Sequence, residues 1–150
     1  MADTDFLGLG WNFPVGLDAG GQIGLTSDGE QSVRQSIWTI LATSPGERVM
    51  RPDFGCGIHD LVFGVNNATT ATAVTRAVRE ALATWEPRID VLDVYAAAAG
   101  GPGQSNTAAG GPGQSSTVDQ TRPSVLVIEI NYQVRSTNSR FNLVYPFYLE

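Results

Sequence analysis

Two different periods of apolar residues run along the chain, and the change between them separates helices from strands. From 73 to 85 apolar residues recur every three or four positions, which predicts an amphipathic helix. Pro87 has no amide proton and disfavours helical geometry at Glu86, so we expect the helix to end there. The β-prone residues from 89 to 94 then predict a strand that is apolar on both faces. The helical stripe consists of Val74, Val78, Ala81, Leu82 and Trp85.

Two later segments alternate apolar and polar residues with the period of two that is typical of half-buried strands. The first runs from 124 to 135 and the second from 141 to 149, with a polar turn at 136–140 between them. Their apolar faces consist of Leu126, Ile128, Ile130, Tyr132 and Val134, and of Phe141, Leu143, Tyr145, Phe147 and Leu149.

An earlier helix is predicted to begin at a capping box from Ser27 to Glu30 and to end near 44–46. Its apolar face consists of Val33, Ile37, Ile40 and Leu41. Residues 47–51 predict a short strand closed by Pro52, and the apolar residues of 58–63 predict a short helix after a turn at 53–57.

Asn67 or Thr69 suits the N-cap of the main helix, because both side chains can accept a hydrogen bond from a free amide. These elements predict an α+β fold, with an antiparallel sheet of three to four strands and two main helices packed on one face. We expect one domain at 29–150, preceded by an arm at 1–28.

The arm carries Phe6, Leu7, Leu9, Trp11 and Phe13, which need something to pack against. Packing on its own domain is favoured over docking on a neighbouring protein. A second distinct segment lies between the predicted strands, where Ala98–Thr107 repeats as Ala108–Thr117 with one change. Because this repeat has no large apolar side chain, we expect a disordered insertion at 98–120.

Composition and charge exclude several classes of protein. The formal net charge of −6 argues against a nucleic-acid surface, which normally carries clustered basic residues. The chain has no run of about 18 apolar residues for a membrane span, and its first residues are acidic, unlike a signal peptide. Cys56 is the single cysteine, which excludes an intrachain disulfide and favours synthesis in a reducing compartment. All nine basic residues are Arg, as planar pairing at interfaces or a GC-rich genome would produce.

No pattern of residues predicts an active site, a metal site or a cofactor. Glu47 and Glu86 are the only candidates for a pair of glycosidase carboxylates. An Arg follows each of them closely, and a guanidinium lowers a carboxylate pKa, which is wrong for a general acid. One His and one Cys do not complete a familiar zinc set, even with the neighbouring carboxylates. The ligand types concerned are Asp53, Cys56, His59 and Asp60, and a surface location is favoured for His59.

The Glu86-Pro87-Arg88 turn fixes an acid and a base two residues apart where the main helix meets the sheet. One interpretation is an exposed ion pair at a helix end, which contributes little to stability. The other is a partly buried cluster in which Glu86 and Arg88 engage further charges. Its candidate partners are Glu47, Arg48 and Arg51.

Five short motifs occur in an order that resembles a known family. They are GLGWNFP at 8–14, SPGERVMRPDFG at 44–55, DLVF at 60–63, WEPR at 85–88 and LVYPF at 143–147. Together they resemble the small baseplate wedge, or sheath-initiator, family of contractile tails, some members of which are labelled lysozyme-like. The resemblance spans nearly the whole chain except the repeat insertion. The Glu-Pro-Arg core of the family falls on Glu86, Pro87 and Arg88 without departure.

The resemblance implies a structural subunit that joins a baseplate to the first sheath ring and starts sheath assembly. It implies assembly in the bacterial cytoplasm, six copies per particle, and contacts with other wedge proteins, sheath subunits and hub or tube proteins. It implies neither nucleic-acid binding nor insertion into a membrane. Because Pro146 breaks the amide ladder, we expect the last strand to be a sheet edge that an arm of a sheath subunit extends. Its residues are Leu143, Val144, Tyr145, Pro146 and Phe147.

Three alternatives to sheath recruitment at this edge remain open. The edge strand could be covered by the N-terminal arm. The protein could be a peptidoglycan hydrolase, or a soluble adaptor that binds another protein.

Overall fold

A computed structural model describes residues 8–26, 28–64, 67–98 and 124–149. Two helices, α1 (Gly29–Ala42) and α2 (Ala68–Trp85), precede three strands. The strands are β1 (Ile89–Ala98), β2 (Ser124–Val134) and β3 (Arg140–Leu149), and a 3₁₀ helix (Gly57–Leu61) lies between the two helices. This architecture confirms the predicted α+β class.

Both helices begin where an acidic or amide side chain caps the first turn. The Asp28 side chain accepts from the amide of Gln31, and the Asn67 side chain accepts from the amide of Thr70. The prediction of Ser27 as the first cap is therefore wrong by one residue, since Asp28 performs that role; Ser27 itself lies outside the described residues. Of the two caps proposed for α2, the structure uses Asn67.

The three strands form one antiparallel sheet in the order β1-β2-β3, so β2 is central and the other two are edges. A bulge between Val91 and Asp93 shifts the register of β1 against β2. The bulge places Leu92 on the exposed side. This explains why the sequence of the strand has apolar residues at positions of both faces. The pairing of β2 with β3 is regular from Ser124–Leu149 to Gln133–Arg140.

The core lies between the two helices and one face of the sheet. The apolar stripes of α1 and α2 are buried against the apolar faces of β2 and β3, as the two periods predict. Phe141 and Trp85 are partly buried at the rim of this core. The opposite face of the sheet carries no second layer within the described residues.

The predicted short strand at 47–51 does not form. These residues make turns in a loop, and the Val49 and Met50 side chains are 92% and 89% exposed. The sheet of the described residues therefore has three strands. Val49 and Met50, which suggested a fourth strand, point into solvent.

Residues 8–26 form a hairpin that lies on α1. Isolated bridges join Trp11 to Leu25 and Leu17 to Ile23. The side chain of Asn12 accepts from Gln35, and the amide of Phe13 donates to Gln35 at 3.3 Å. These contacts with the domain are polar, whereas Trp11 and Phe13 remain 65% and 67% exposed. The expected self-packing of these apolar side chains is thus not observed for residues 8–26. Phe6, Leu7 and residues 99–120 of the expected insertion at 98–120 lie outside the described residues, and Ala98 is the last residue of β1.

None of the helices in the described part of the chain is long and apolar enough to cross a membrane.

Candidate functional site

The Glu86-Pro87-Arg88 turn forms a bidentate ion pair within itself. The Nε and Nη2 atoms of Arg88 donate to the two carboxylate oxygens of Glu86 at 2.6 and 2.8 Å. The amide of Glu86 donates to the carbonyl of Leu82 at 3.0 Å, so the last turn of α2 holds the acid in place. Pro87 then redirects the chain, and Arg88 returns its guanidinium to the carboxylate two residues earlier.

This pair is connected to the other elements of the fold. The Nη1 atom of Arg88 donates to the hydroxyl of Ser32 on α1 at 3.4 Å. The backbone carbonyl of Arg88 accepts from the amide of Arg135, which follows β2. Ser36, one turn further along α1, hydrogen-bonds the Glu86 carboxylate. Neither serine is among the residues predicted from the sequence. The pattern that indicates them is a pair of small polar residues four positions apart, beside the apolar stripe of α1.

Burial and pairing act in opposite directions on the Glu86 carboxyl. Burial, the largest effect, raises its pKa, because the charged form loses hydration. Hydrogen bonds from Arg88 and Ser36 and the charge of Arg88 outweigh this effect and hold the pKa below its ordinary value. The Glu86 side chain is 2% exposed and that of Arg88 29% exposed, so the pair is mostly removed from solvent.

The other charged residues expected around this pair lie in the loop from 43 to 56. Arg48 lies over the ring of Phe54, 4.1 Å from its centroid, and Arg51 lies 5.3 Å from the centroid of the Trp85 ring. The Glu47 carboxylate accepts from the amide of Ser44. Among the described residues no ion pair joins these three side chains to Glu86 or Arg88. The predicted pairings are therefore not observed among the described residues, where these three side chains contact the aromatic rings and the loop backbone.

The ends of this loop are closed by backbone hydrogen bonds. The amide of Cys56 donates to the carbonyl of Thr43 at 2.9 Å, and the amide of Gly46 donates to the carbonyl of Pro52 at 2.7 Å. Gly55 has a φ of +126°, and a Cβ there would lie 2.4 Å from the carbonyl oxygen of Thr43. Only glycine fits this closure, which holds Val49 and Met50 at the tip of the loop.

The hairpin and the turn border a common open cavity of about 490 Å³. Trp11 and Phe13 contribute from the hairpin, Ser36 from α1, and Arg48 and Arg88 from the two charged segments. The motifs at 8–14, 44–55 and 85–88 are therefore neighbours in space, although they are separate in sequence.

The strand β3 is a sheet edge, and its outward groups follow from the ladder. The backbone amide of Val134 donates to the carbonyl of Ser139 on the β3 side. The backbone amide of Arg135 donates to the carbonyl of Arg88 on the β1 side. Because peptide directions alternate along a strand, the β3 residues paired with even-numbered β2 residues point their amides inward. The outward set is then Arg140, Asn142, Val144, Pro146 and Tyr148.

Pro146 thus sits where an edge strand tolerates proline, since its missing amide proton would face away from β2. Val127 is its partner in the register. The bridges of the hairpin lie within residues 8–26, and none of them reaches β3. Coverage of this edge by the arm is therefore not observed for the described residues.

The opposite edge is irregular, and one of its outward amides is engaged by a side chain. The carboxylate of Asp93 accepts from the amide of Val94 at 2.9 Å and lies 3.6 Å from Arg79 of α2. The bulge at Val91 and Asp93 further disrupts the outer side of β1. Edge strands protected in this way resist pairing with another chain.

The candidate metal ligands have other contacts. The Nε2 of His59 donates to the carbonyl of Leu41 at 2.9 Å, and its ring contacts Phe147 edge-on. His59 is half-buried rather than on the surface, which corrects the expectation from sequence. Cys56 is buried, and burial raises the pKa of its thiol. No group of three His, Cys, Asp or Glu side chains within 8–26, 28–64, 67–98 and 124–149 could hold a metal ion.

Comparisons with known proteins agree with this geometry. The chain is 38% identical to baseplate wedge protein gp25 of Enterobacteria phage T4 over 66 residues, which are 44% of this chain and 50% of the phage protein. It is 32% identical to baseplate protein W of Escherichia phage P2 over 74 residues, which are 49% of this chain and 64% of that protein. The matches thus span about half to two thirds of these relatives.

Solved structures share the fold. A protein of Geobacter sulfurreducens, named as a candidate tail lysozyme, is 48% identical with a TM-score of 0.63, covering 83% of this chain and 95% of that one. A chain of the anti-feeding prophage baseplate is 21% identical with a TM-score of 0.58, covering 97% and 92%. A chain of the type VI secretion baseplate complex is 21% identical with a TM-score of 0.55, covering 79% and 92%.

The family model described as baseplate wedge protein gp25 matches residues 27–109. That segment includes both helices, the closed loop, the Glu-Pro-Arg turn and β1. Since the match extends over more than half of the chain, this protein belongs to the baseplate wedge protein gp25 family.

Proposed function

We propose that this chain is a structural wedge subunit of a contractile tail or injection system, which joins the baseplate to the first sheath ring and starts sheath assembly. The observation that carries the proposal is a sheet in which β3 is an edge regularly paired with β2, while the other edge carries a bulge, in a chain of the gp25 family. Strand addition at an exposed sheet edge is a recurring mode of protein recognition, and β3 offers such an edge.

The two edges differ in the groups that they offer. At β1 the amide of Val94 is already satisfied by Asp93. At β3 the outward amides of Asn142, Val144 and Tyr148 are paired with no described residue. We therefore assign sheath recruitment to the segment Leu143–Phe147, with main-chain hydrogen bonds for affinity and side-chain pockets for register.

A hydrolase function has little support in the geometry. Glu86 is buried and paired with Arg88, which holds its pKa low, whereas a general acid needs a raised pKa and access to substrate. Glu47 is bound to its own loop through the amide of Ser44. Although the Geobacter relative is named as a candidate tail lysozyme, we propose that this chain is not an enzyme.

The partners follow from the proposed role. Relatives of the chain are parts of baseplates, so other wedge proteins are its first partners. We further propose contacts with sheath subunits and with hub or tube proteins, six copies around a sixfold baseplate, and assembly in the bacterial cytoplasm. A soluble adaptor would instead bind a partner in cells that lack all tail genes.

The test is deletion of the gene in the system that encodes it, followed by electron microscopy of the particles. We expect baseplates and tubes without sheath, and sheathed particles again when the wild-type gene is supplied. Sheathed particles of normal length that lack this chain would refute the role. Clearing of a peptidoglycan suspension by the purified protein, abolished in Glu86→Gln, would establish the hydrolase instead.

A further inference from the structure

The outer face of the sheet, which neither of the described helices covers, carries an apolar patch at one end. Register places Tyr95, Glu129 and Val144 in one row across the three strands, and Ala97, Val127 and Pro146 in the next. Val125 and Tyr148 form a third row on β2 and β3. Tyr95 and Tyr148 are 66% and 58% exposed. We call these three rows the outer patch.

The other end of the same face is polar, and its groups are paired with one another. Arg135 donates to Asp90 at 2.6 Å, and the side-chain amide of Asn142 donates to that of Asn131 at 2.8 Å. Gln133 donates to the turn at Asn138. This end of the face is therefore satisfied within the chain.

Glu129 differs from these groups. It lies in the first row of the outer patch, between Tyr95 and Val144, and makes no hydrogen bond or ion pair with the part of the chain that the structure describes. A carboxylate among apolar side chains is costly to bury unless a cation accompanies it. A protein that buries the outer patch is therefore favoured if it brings a positive charge to Glu129.

A second copy of the chain does not meet this requirement. A twofold pairing centred on the patch would bring two Glu129 carboxylates together, and the sheet residues in its three rows include no Arg. Exposed apolar patches rimmed by polar residues mark interaction sites on soluble proteins. The described residues bring no cation to Glu129, and this points to a different protein as its source.

We propose that the outer patch docks another baseplate protein through an apolar surface that presents one Arg or Lys to Glu129. This inference rests on the proposed baseplate role and adds a second contact, on the face of the sheet rather than at its β3 edge. Val144, Pro146 and Tyr148 belong to both surfaces, since their side chains lie on this face while their backbone forms the edge.

The test is hydroxyl-radical footprinting of the tyrosines in the free chain and in purified particles. In the free chain Tyr95 and Tyr148 should react rapidly, whereas the buried Tyr132 and Tyr145 serve as internal controls. In particles we expect oxidation of Tyr95 and Tyr148 to fall by roughly fivefold or more, because an interface core excludes water. Equal oxidation of both tyrosines in the two samples would overturn the proposal.

A competition experiment tests the charge. Wild-type chain and a mass-tagged variant are expressed together, and their ratio is measured in particles. Glu129→Gln should be incorporated about tenfold less than wild type, and Glu129→Lys less still, because the partner's cation is left unpaired. Glu80→Gln, on the exposed side of α2, is the matched control and should match wild type. The free variants should melt within one degree or so of wild type, by the usual size of surface effects.

The remaining outcomes distinguish other occupants. Incorporation of Glu129→Gln at the ratio of Glu80→Gln would refute the charged contact. Tyrosines that are protected in the free chain and become reactive when 98–117 is deleted would identify the chain's own insertion as the cover. Self-association that Glu129→Gln strengthens would identify a second copy. Absence of the wild-type chain from particles would refute the baseplate role itself, separately from these results.

Discussion

Glu86 and Arg88 form an ion pair with the same 2.6 Å contact as Asp90 and Arg135, but the two pairs differ in burial. The side chains of Glu86 and Arg88 are 2% and 29% exposed, whereas those of Asp90 and Arg135 are 56% and 59% exposed. Solvent screens the exposed pair and leaves it little to contribute. Removing one member of the buried pair leaves the charge of the other without its counter-charge, which destabilises the fold.

Glu86→Ala should therefore destabilise the free chain by about 3–5 kcal/mol, the usual cost of leaving a buried charge without its partner. Unfolding in denaturant measures this change directly. Asp90→Ala is the matched control, since it removes an equally short ion pair from the surface, and it should change the midpoint little. Glu80→Ala controls for loss of an exposed carboxylate. Equal midpoints for Glu86→Ala and Asp90→Ala would contradict the assignment.

The same pair gives stability a defined dependence on pH. The pKa of Glu86 is lowered in the folded chain, so its contribution is complete above the ordinary glutamate pKa of about 4.3 and is lost as pH falls through the lower folded value. The difference in unfolding free energy between wild type and Glu86→Gln should be constant near neutral pH and shrink in acid. Other carboxylates titrate in both proteins and cancel in this comparison. A difference that stays constant down to pH ~3 would mean that the pKa of Glu86 is not lowered.

Periodicity was sufficient to predict the helices and long strands, because each has one face that must be buried. It did not predict the contacts of Arg48 and Arg51, since these depend on where Phe54 and Trp85 lie after folding. The strand expected at 47–51 failed for a related reason. Its apolar residues resemble a strand locally, but the closure of the loop at Gly55 decides which way they point.

Gly55→Ala tests that closure. The new Cβ would lie 2.4 Å from the carbonyl oxygen of Thr43, at a φ of +126° that other residues rarely adopt. We expect a loss of at least ~2 kcal/mol, since strained backbone alone costs about 1–3 kcal/mol. Gly46→Ala, at a φ of +85° with no atom within 4 Å of the added Cβ, should cost less, and Gly57→Ala, which has neither strain nor contact, should cost least. Melting temperatures in any other order would show that the loop closes differently.

Deletion of Ala98–Thr117, joining Ala97 to Val118, should leave a folded chain that still assembles. The prediction comes from sequence, because the repeat has no large apolar side chain to anchor it. Closure of a flexible loop changes by only ~0.6 kcal/mol for each halving of its length. The melting temperature and the amount of chain in particles measure the effect. Failure to obtain folded protein would assign a structural role to the repeat.

Val144→Pro tests whether sheath assembly starts at β3. Val144 points its amide away from β2, so proline there removes an outward donor without breaking the β2–β3 ladder. Together with Pro146, it would leave two successive outward positions without a donor. We therefore expect baseplates with tubes and no sheath, provided that the free variant melts close to wild type. Val144→Thr keeps the amide and the branched side chain, and it should assemble normal sheath. If Val144→Pro gave sheaths of normal length, strand addition at this edge would be excluded, because no partner strand could bond there in the same register.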